Sequence, residues 1–402
     1  MIYAFDVSSI HTDATSPELM WRNGCDGTGC TPNFEEMGQT WSAPQVVRAS
    51  GYNDGGAPLA TPPIPPKAKP MLIVGGGYDT CEDEDPNTCT APKGNRVYVL
   101  DAETGEWLTE FTTERGVVSD VFVIKDDETG LAKWAYVADL GGNIYRISGL
   151  NANTEFGTTA PTSWTMTKIA SLGCATASAT CARKFMMPMD VVEAEGGYVI
   201  LIGSGDREKP LLGFDHAATV ENYFFKIKDH PADPAWLTGE CSGANLICLS
   251  SLLVLPNVPD PDEPNPTPDE LLAHPKGWAL EMLETEQVVT SAITVFGTTT
   301  FSTHTPVDLA PGACSSTLGT AKVYNIGFAN AANPSNALSR NEVIVGGGLP
   351  PSPVAGMVTL DDGTTVPFLI GGETNSPLEG GEPIPSGLAD QPKAQTYWYI
   401  HK

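Results

Sequence analysis

The chain reads WSAPQVV at residues 41–47, MLIVGGG at residues 71–77 and VYVLD at residues 97–101. A Ser-Pro phrase therefore leads into one apolar run, a second run ends in glycine, and a third has an aromatic residue near its start. The same succession begins again at residues 118–120, 187–190, 290–292 and 351–353. Short apolar runs bounded by Gly, Pro and Ser are typical of β-strands.

The units recur at irregular but comparable distances along the chain. Successive phase marks are separated by 77, 69, 103 and 61 residues, and these marks are Ser42, Ser119, Pro188, Ser291 and Ser352. A repeat of antiparallel strand units predicts a propeller with one blade per unit, because a lone sheet cannot bury both of its faces. The alternative is a pair of large β-sandwiches, which predicts no phase relation between the marks.

The number of blades follows from the number of units. Five units are visible, and a half unit, MIYAFDV followed by LMWR, stands at the start of the chain. We therefore predict an all-β fold: a quinoprotein-like β-propeller of six or seven irregular blades with long loop insertions. Residues 1–402 are interpreted as a single propeller domain. The longest step contains an insertion at residues 228–287, in which the Pro-rich acidic stretch 256–270 predicts an extended surface loop.

The charge balance excludes some classes of partner. Twenty-two Lys and Arg against 49 Asp and Glu give a formal charge of −27. Such a chain lacks the basic face that a nucleic-acid binder needs, and it is not attracted to anionic lipid. No apolar stretch approaches the roughly 18 residues that a membrane span requires. An acidic face favours a basic partner patch or bridging by a divalent cation.

Eight of the nine cysteines form close pairs within Gly-, Thr-, Asn- and Asp-rich segments. The pairs are Cys25 with Cys30, Cys81 with Cys89, Cys174 with Cys181, and Cys241 with Cys248. Zinc binding is the alternative, but the gaps are mostly longer than those between zinc ligands, and the six His are scattered. We predict four local disulfides and hence an oxidising compartment. Cys314 remains as a free thiol or as the partner of a cysteine outside this chain.

The sequence begins directly with the strand-like MIYAFDV and carries no secretory signal. Because disulfides imply export, we expect a C-terminal fragment of a longer exported protein, with the signal in the preceding part.

Several phrases in one order resemble the C-terminal β-propeller domain of the PilY-type family of type IV pilus biogenesis factors and tip adhesins. The more specific ones are IGSGDREKPL from Ile202 and CSSTLGTAKVYNIGF from Cys314. Others are GQTWSAPQVV from Gly38, KPMLIVGGGYD from Lys69, NRVYVLDAETGEWL from Asn95, YVADLGGNIYRI from Tyr136, ENYFFKIKD from Glu221 and GGGLPPSPV from Gly346. Together they cover nearly the whole chain.

The resemblance implies a modified propeller that helps to start pilus assembly, opposes retraction and takes part in adhesion and surface sensing. Implied partners are minor pilins at the pilus tip and a host or abiotic surface ligand. The implied location is the cell surface or pilus tip, with a periplasmic pool. No catalytic residues are implied, so we predict a non-enzymatic protein.

The resemblance also implies a calcium ion in an Asp-rich loop ahead of a strand like Tyr136–Asp139. The matching residues here are Asp126, Asp127 and Glu128, which are consecutive rather than alternating, with Lys125 and Lys133 nearby. Calcium needs six to eight converging oxygens, so a charged hairpin turn is the alternative.

A second acidic loop, closed by the Cys81 and Cys89 pair, contains Asp79, Asp83 and Asp85. These three carboxylates form the other candidate calcium site, and a solvated acidic loop is the alternative.

Asp206 and Glu208 follow an apolar run that ends in Gly-Ser-Gly and flank Arg207. Two carboxylates two residues apart on a strand share one face, as a catalytic pair would. The alternative is that Arg207 pairs locally and anchors the chain to the next blade. The rival function is a secreted or periplasmic propeller enzyme, either a quinone-dependent dehydrogenase or a carbohydrate-active enzyme.

Overall fold

The computed structural model describes residues 1–9, 11, 17–55, 67–86, 89, 92–174, 181–258, 265–307, 318–333, 339–359 and 365–372. Nearly all regular structure in this part of the chain is β-strand. In these residues no helix has both the length and the apolar character needed to cross a bilayer. Cys314, the aromatic run at residues 397–400 and residues 259–264 of the Pro-rich stretch lie outside the described residues.

Two antiparallel sheets of four strands follow one another, and each runs in chain order from its first strand to its fourth. The first blade consists of Gln45–Val47, Met71–Gly75, Arg96–Asp101 and Trp107–Thr112. The second blade consists of Phe122–Lys125, Ala132–Ala138, Asn143–Ser148 and Thr165–Ser171. Both begin at the predicted phase marks.

The third and fourth blades each contain five strands. The third consists of Asp190–Ala194, Gly197–Gly203, Tyr223–Asp229, Gly277–Glu281 and Leu253–Leu255, the last of which pairs in parallel. The fourth consists of Gln287–Val288, Ile293–Val295, Thr298–Thr305, Thr320–Gly327 and Asn341–Val343. Two strands of the third blade therefore come from the segment predicted as an insertion at 228–287.

Hairpins flank the four blades that the described residues form. The N-terminal hairpin joins Ile2–Asp6 to Glu18–Asn23, and the C-terminal hairpin joins Val354–Thr359 to Thr365–Ile370. The strand pair Cys25–Asp26 and Gly29–Cys30 forms a much smaller hairpin. The predicted half unit at the start is thus a separate two-stranded sheet.

Helical segments in the described residues are short and lie in connections. The α-helical ones are Asp215–Ala218, Glu240–Gly243 and Pro268–Ala273. The 3₁₀ turns are Thr80–Asp83, Pro161–Ser163 and Leu249–Ser251.

The core lies between blades, so the inner strands bury both faces. In Met71–Gly75, Met71 and Ile73 join the cluster shared with the second blade. Leu72 and Val74 pack in the other direction, with Trp21 of the N-terminal hairpin. Burial on both faces explains why Met71–Gly75 and Gly197–Gly203 are continuously apolar and do not alternate with polar residues.

The glycines that end these runs allow close approach of adjacent blades. A Cβ on Gly203 would lie 2.3 Å from a methyl carbon of Val288 in the fourth blade. A Cβ on Gly75 would lie 2.5 Å from the carbonyl oxygen of Val117, which precedes the second blade. A side chain at either position would force the blades apart.

First strands of successive units contact one another, as the blades of a propeller require. Gln45–Val47 contacts Phe122–Lys125, and Ile293–Val295 contacts both Asp190–Ala194 and Val354–Thr359. Residues at or next to the phase marks also bond from unit to unit: Ala43 N donates to Asp120 Oδ1 at 2.6 Å, and Ser291 N donates to Ser352 Oγ at 3.1 Å. The marks are therefore in phase, and the predicted β-propeller is confirmed over the sandwich pair.

All four predicted disulfides are present. They join Cys25 to Cys30, Cys81 to Cys89, Cys174 to Cys181, and Cys241 to Cys248. Each closes a short loop, so each restrains its own connection more than the whole fold. Their presence indicates a protein that matures in an oxidising compartment.

Candidate functional site

One end of the propeller gathers several connections that carry buried charged residues. Strands of a meander alternate in direction, so the connections after second and fourth strands lie at the same end. Glu82 follows the second strand of the first blade, and Arg115 follows its fourth. Lys184 precedes the third blade, and residues 206–209 follow that blade's second strand. The topology therefore brings distant charged residues to one end.

These residues form a network that we call the ionic cluster. Its members are Glu82, Arg115, Lys184, Asp206, Glu208 and Lys209. The Glu82 side chain is fully buried, and its Oε1 accepts hydrogen bonds from Arg115 Nη2 at 2.7 Å and Nε at 2.9 Å. Arg115 precedes the second blade, so this pair joins the connections of two neighbouring blades.

Two buried lysines neutralise the carboxylates of the third blade. Lys184 Nζ lies 3.0 Å from Asp206 Oδ2 and 3.1 Å from Glu208 Oε1. Lys209 Nζ lies 3.3 Å from Asp206 Oδ2 and donates to the carbonyl oxygen of Glu82 at 2.8 Å. The lysines therefore hold the 3₁₀ turn of the first blade against the connection of the third.

Tyr78 closes the cluster on the side of the first blade. Its hydroxyl lies 2.8 Å from Asp83 Oδ1 and 3.0 Å from Glu208 Oε1. The half-exposed ring of Trp41 stacks on the Tyr78 ring, with centroids 4.6 Å apart. Tyr78 also packs in a small apolar cluster with Val118, Leu140 and Met186, which belong to the second and third blades. Polar and apolar contacts thus span three consecutive blades at this end.

Burial and charge shift the pKa values of the paired carboxyls in opposite directions. Burial and the neighbouring charge of Asp206 raise the pKa of Glu208 to about 7. Burial opposes ionisation of Asp206 too, but the positive charges of Lys184 and Lys209 lower its pKa below the usual value. Burial alone would lower the pKa of Lys184, yet the carboxylates around it raise that pKa.

The structure places the predicted Asp206, Arg207 and Glu208 within this end of the propeller. Arg207 Nη1 donates to the carbonyl oxygen of Val289 at 3.0 Å, at the start of the fourth blade, so the predicted anchoring to the next blade is observed. The partners of the two carboxylates are Lys184 and Lys209.

The first predicted calcium loop forms a charged turn. Asp126 Oδ1 accepts hydrogen bonds from Thr129 N at 2.9 Å and Thr129 Oγ1 at 2.8 Å, and its Oδ2 lies 3.3 Å from Lys133 Nζ. These bonds, from Thr129 first, lower the pKa of Asp126. Both oxygens of Asp126 are directed to these partners, while Asp127 and Glu128 are exposed at the turn. Calcium binding by Asp126, Asp127 and Glu128 stays a prediction.

The three carboxylates of the second predicted calcium loop contact three separate parts of the molecule. Asp79 accepts from Cys81 N at 3.0 Å and Lys93 N at 2.6 Å. Asp83 contacts Tyr78, and Asp85 accepts from the backbone of the helix Asp215–Ala218. Throughout the part of the chain that the structure describes, no three His, Cys, Asp or Glu side chains are grouped to hold a metal ion. Calcium binding by Asp79, Asp83 and Asp85 likewise stays a prediction.

The sequence patterns did not identify Glu82, Arg115, Lys184 and Lys209 as members of one site. The available signal was local: charged residues directly follow apolar runs in GSGDREK and directly precede one in ARKFMM. Charges that adjoin buried strands need partners, because an isolated buried charge is costly. The identity of those partners depended on the packing of the blades.

No protein-family model matches the chain, and no curated protein matches it by sequence. The structure is similar to the crystal structure of the Pseudomonas aeruginosa PilY1 C-terminal domain, with a TM-score of 0.54 and 16% identity. That likeness covers 93% of this chain and 78% of the other. It establishes a shared fold, and the predicted resemblance to a PilY-type propeller is confirmed at that level.

Two enzyme propellers are more weakly similar. The quinohemoprotein alcohol dehydrogenase from Comamonas testosteroni has a TM-score of 0.39 and 9% identity, covering 89% of this chain and 51% of the other. The α-L-arabinofuranosidase Arb93A from Fusarium graminearum has a TM-score of 0.35 and 8% identity, covering 83% and 79%. At these TM-scores neither likeness bears on what this chain does.

Proposed function

We propose that this chain is the propeller of a non-enzymatic type IV pilus-associated protein, which promotes pilus assembly and acts as a tip adhesin. The observation that carries the proposal is the fold shared with the PilY1 C-terminal domain over 93% of the chain. Such a protein works by binding: rigid blades present loops, and the loops carry specificity. Its partners are minor pilins and a host or abiotic surface ligand.

The ionic cluster supports a binding role over a catalytic one. The carboxyl groups of Asp206 and Glu208 contact the buried Lys184 and Lys209, and their side chains are only 13% and 19% exposed. Groups held in ion pairs between blades stabilise an arrangement of loops, whereas a hydrolase needs its carboxylates to reach a substrate.

Charge and disulfides support the proposed location and partners. A formal charge of −27 favours a basic patch on the partner. Four disulfides agree with maturation in the periplasm and display at the cell surface or pilus tip. A periplasmic pool would supply pilus assembly.

Deletion of this segment in the source cell tests the proposal. Surface pili are counted by microscopy, and attachment is measured on the same cultures. Loss of pili supports the assembly role, and normal pili with lost attachment supports the adhesin role. Unchanged pili and unchanged attachment would contradict both.

One observation favours the enzyme alternative. Asp206 and Glu208 are adjacent carboxyls with pKa values shifted apart, a combination found in general acid–base pairs. The test assays the purified full protein with polysaccharides and with alcohols plus an electron acceptor. Turnover that Glu208→Gln abolishes, and that the exposed control Glu106→Gln retains, would favour an enzyme. Absence of turnover agrees with the binding role.

A further inference from the structure

Two carboxyl oxygens inside the ionic cluster lack a hydrogen-bond donor. Asp206 Oδ1 and Glu208 Oε2 are both buried, and neither accepts a hydrogen bond from a group in the described residues. A buried acceptor without a donor loses its hydration and gains nothing in return. One hydrogen placed between these two oxygens would satisfy both, because one oxygen would carry it and the other would accept it.

The two carboxyl groups share the same cationic partners. They are two residues apart in the chain, and Lys209 Nζ lies 3.3 Å from Asp206 Oδ2 and 3.7 Å from Glu208 Oε1. The same two oxygens, Asp206 Oδ2 and Glu208 Oε1, also contact Lys184 Nζ at 3.0 and 3.1 Å. We infer that Asp206 and Glu208 share one bound proton, which makes this pair a buried proton-binding site joining the third blade to the first.

The surrounding charges determine which carboxyl carries the proton. Lys184 and Lys209 both lie closer to Asp206, at 3.0 and 3.3 Å, than to Glu208, at 3.1 and 3.7 Å. The lysines therefore favour ionised Asp206, and Glu208 carries the proton and donates to it.

In the described residues, the first blade and its connections place further titratable groups around the pair and its lysines. They are Tyr78, Asp83, Glu82 and Arg115. Glu82 and Arg115 pair with each other, and Asp83 adds negative charge beside the Tyr78 hydroxyl. Burial and the charge of Asp206 oppose ionisation of Glu208 and outweigh the attraction of Lys184 and Lys209.

Proton loss weakens the contact between the blades. The folded-state pKa of Glu208, about 7, lies above its ordinary value of 4.5. The stabilisation from the shared proton is therefore complete below pH 4.5 and is lost as the pH rises through 7. Above that pH the ionised carboxylates of Asp206 and Glu208 repel each other. Glu208 also contacts the Tyr78 hydroxyl of the first blade, so the repulsion acts where the two blades meet.

Denaturant unfolding of the full chain between pH 4.5 and 8 tests the inference, with wild type, Glu208→Gln and the exposed control Glu106→Gln compared. The Gln amide can donate to Asp206 but cannot ionise. We expect the folding equilibrium constant of wild type to fall by about two orders of magnitude relative to Glu208→Gln across this range. The control should follow wild type. Parallel profiles for wild type and Glu208→Gln would overturn the inference.

Infrared difference spectroscopy on wild-type protein provides a second test that does not depend on the folding of the variant. Protein labelled with ¹³C in the Glu carboxyls separates Glu208 from Asp190, whose pKa burial raises to about 6. We expect a protonated Glu carboxyl band at pH 6 that disappears by pH 8. Absence of that band would mean that Glu208 is ionised at pH 6, and would overturn the shared proton.

Discussion

Arg146 of the second blade and Asp229 of the third form an ion pair in which both side chains are buried. Arg146 Nη1 lies 2.6 Å from Asp229 Oδ1 and 2.5 Å from Oδ2. Tyr136 Oη also donates to Oδ2, at 2.7 Å, and Arg146 Nη2 donates to the carbonyl oxygen of Ala152 at 2.8 Å. Together these bonds tie the third strands of two adjacent blades within the hydrophobic interface between them.

Asp229→Asn should lower the free energy of unfolding by about 3–5 kcal/mol, because it leaves the Arg146 charge buried without a counter-charge. Denaturant unfolding at pH 7 measures the loss. The matched control is Glu114→Gln, since Glu114 is half-exposed and pairs with Lys168 at the surface. That change should cost less than about 1 kcal/mol. Equal losses of unfolding free energy for the two variants would mean that the buried ion pair stabilises the protein no more than a surface ion pair does.

Asp101 gives a prediction with the opposite pH dependence from Glu208. Its Oδ2 lies 2.7 Å from Lys69 Nζ and accepts from Tyr52 Oη at 2.5 Å, while Oδ1 accepts from two backbone amides at 2.9 Å. Burial opposes its ionisation, but these bonds lower the pKa of Asp101 well below its ordinary value.

Because that pKa is lowered, the contribution of Asp101 to stability is present above the unfolded value of 3.8 and is lost as the pH falls. Asp101→Asn should therefore destabilise the protein by about 1–3 kcal/mol at pH 7. The difference from wild type should shrink in acid. Denaturation midpoints at several pH values check this, and a difference that stays constant down to acid pH would contradict it.

The Cys81–Cys89 disulfide restrains the turn that carries Glu82. Replacing both cysteines by Ser should cost about 2–3 kcal/mol from loop entropy alone. The variant Cys25→Ser/Cys30→Ser is the matched control, since it opens a loop of similar length outside the ionic cluster. Only the first variant should also increase hydrogen exchange at residues 206–209. The reason is that the carbonyl oxygen of Glu82, in the loop closed by Cys81 and Cys89, accepts a hydrogen bond from Lys209. Equal exchange in both would contradict this coupling.

The proposed calcium sites are tested separately, by calorimetric titration of the chain with calcium. Because Asp79, Asp83 and Asp85 contact separate partners and Asp126 pairs with Lys133, we expect calcium to bind only above the micromolar range. Binding that Asp83→Asn abolishes would assign calcium to the second acidic loop. Binding that Asp127→Asn abolishes would assign it to the first.

The repeated strand units and the disulfides were predictable because each is encoded locally. The residues that make up an apolar run, a phase mark or a close cysteine pair are near one another in the chain, so their spacing in the sequence identifies each feature. The strand Leu253–Leu255 was not predictable, because it pairs in parallel with Gly277–Glu281 and no short hairpin turn joins the two strands. The segment between these strands resembles a surface loop in composition.

The ionic cluster was not predictable for a similar reason. Tyr78 and Glu208 are 130 residues apart, and Glu82 and Lys209 are 127 apart. No local pattern relates residues at such distances, and each charge taken alone is typical of an exposed loop. Only the packing of three blades shows that Lys184 and Lys209 are buried and that Glu82 meets them.

The association with pili is the central claim, and the fate of the full-length protein in fractionated cells tests it most directly. Surface pili are sheared from the source cell and from a matched strain lacking the major pilin, and the protein is quantified by mass spectrometry in each sheared and periplasmic fraction. We predict enrichment in the sheared fraction only where pili assemble, with a periplasmic pool in both strains. Equal recovery from the sheared fractions of both strains would contradict the claim.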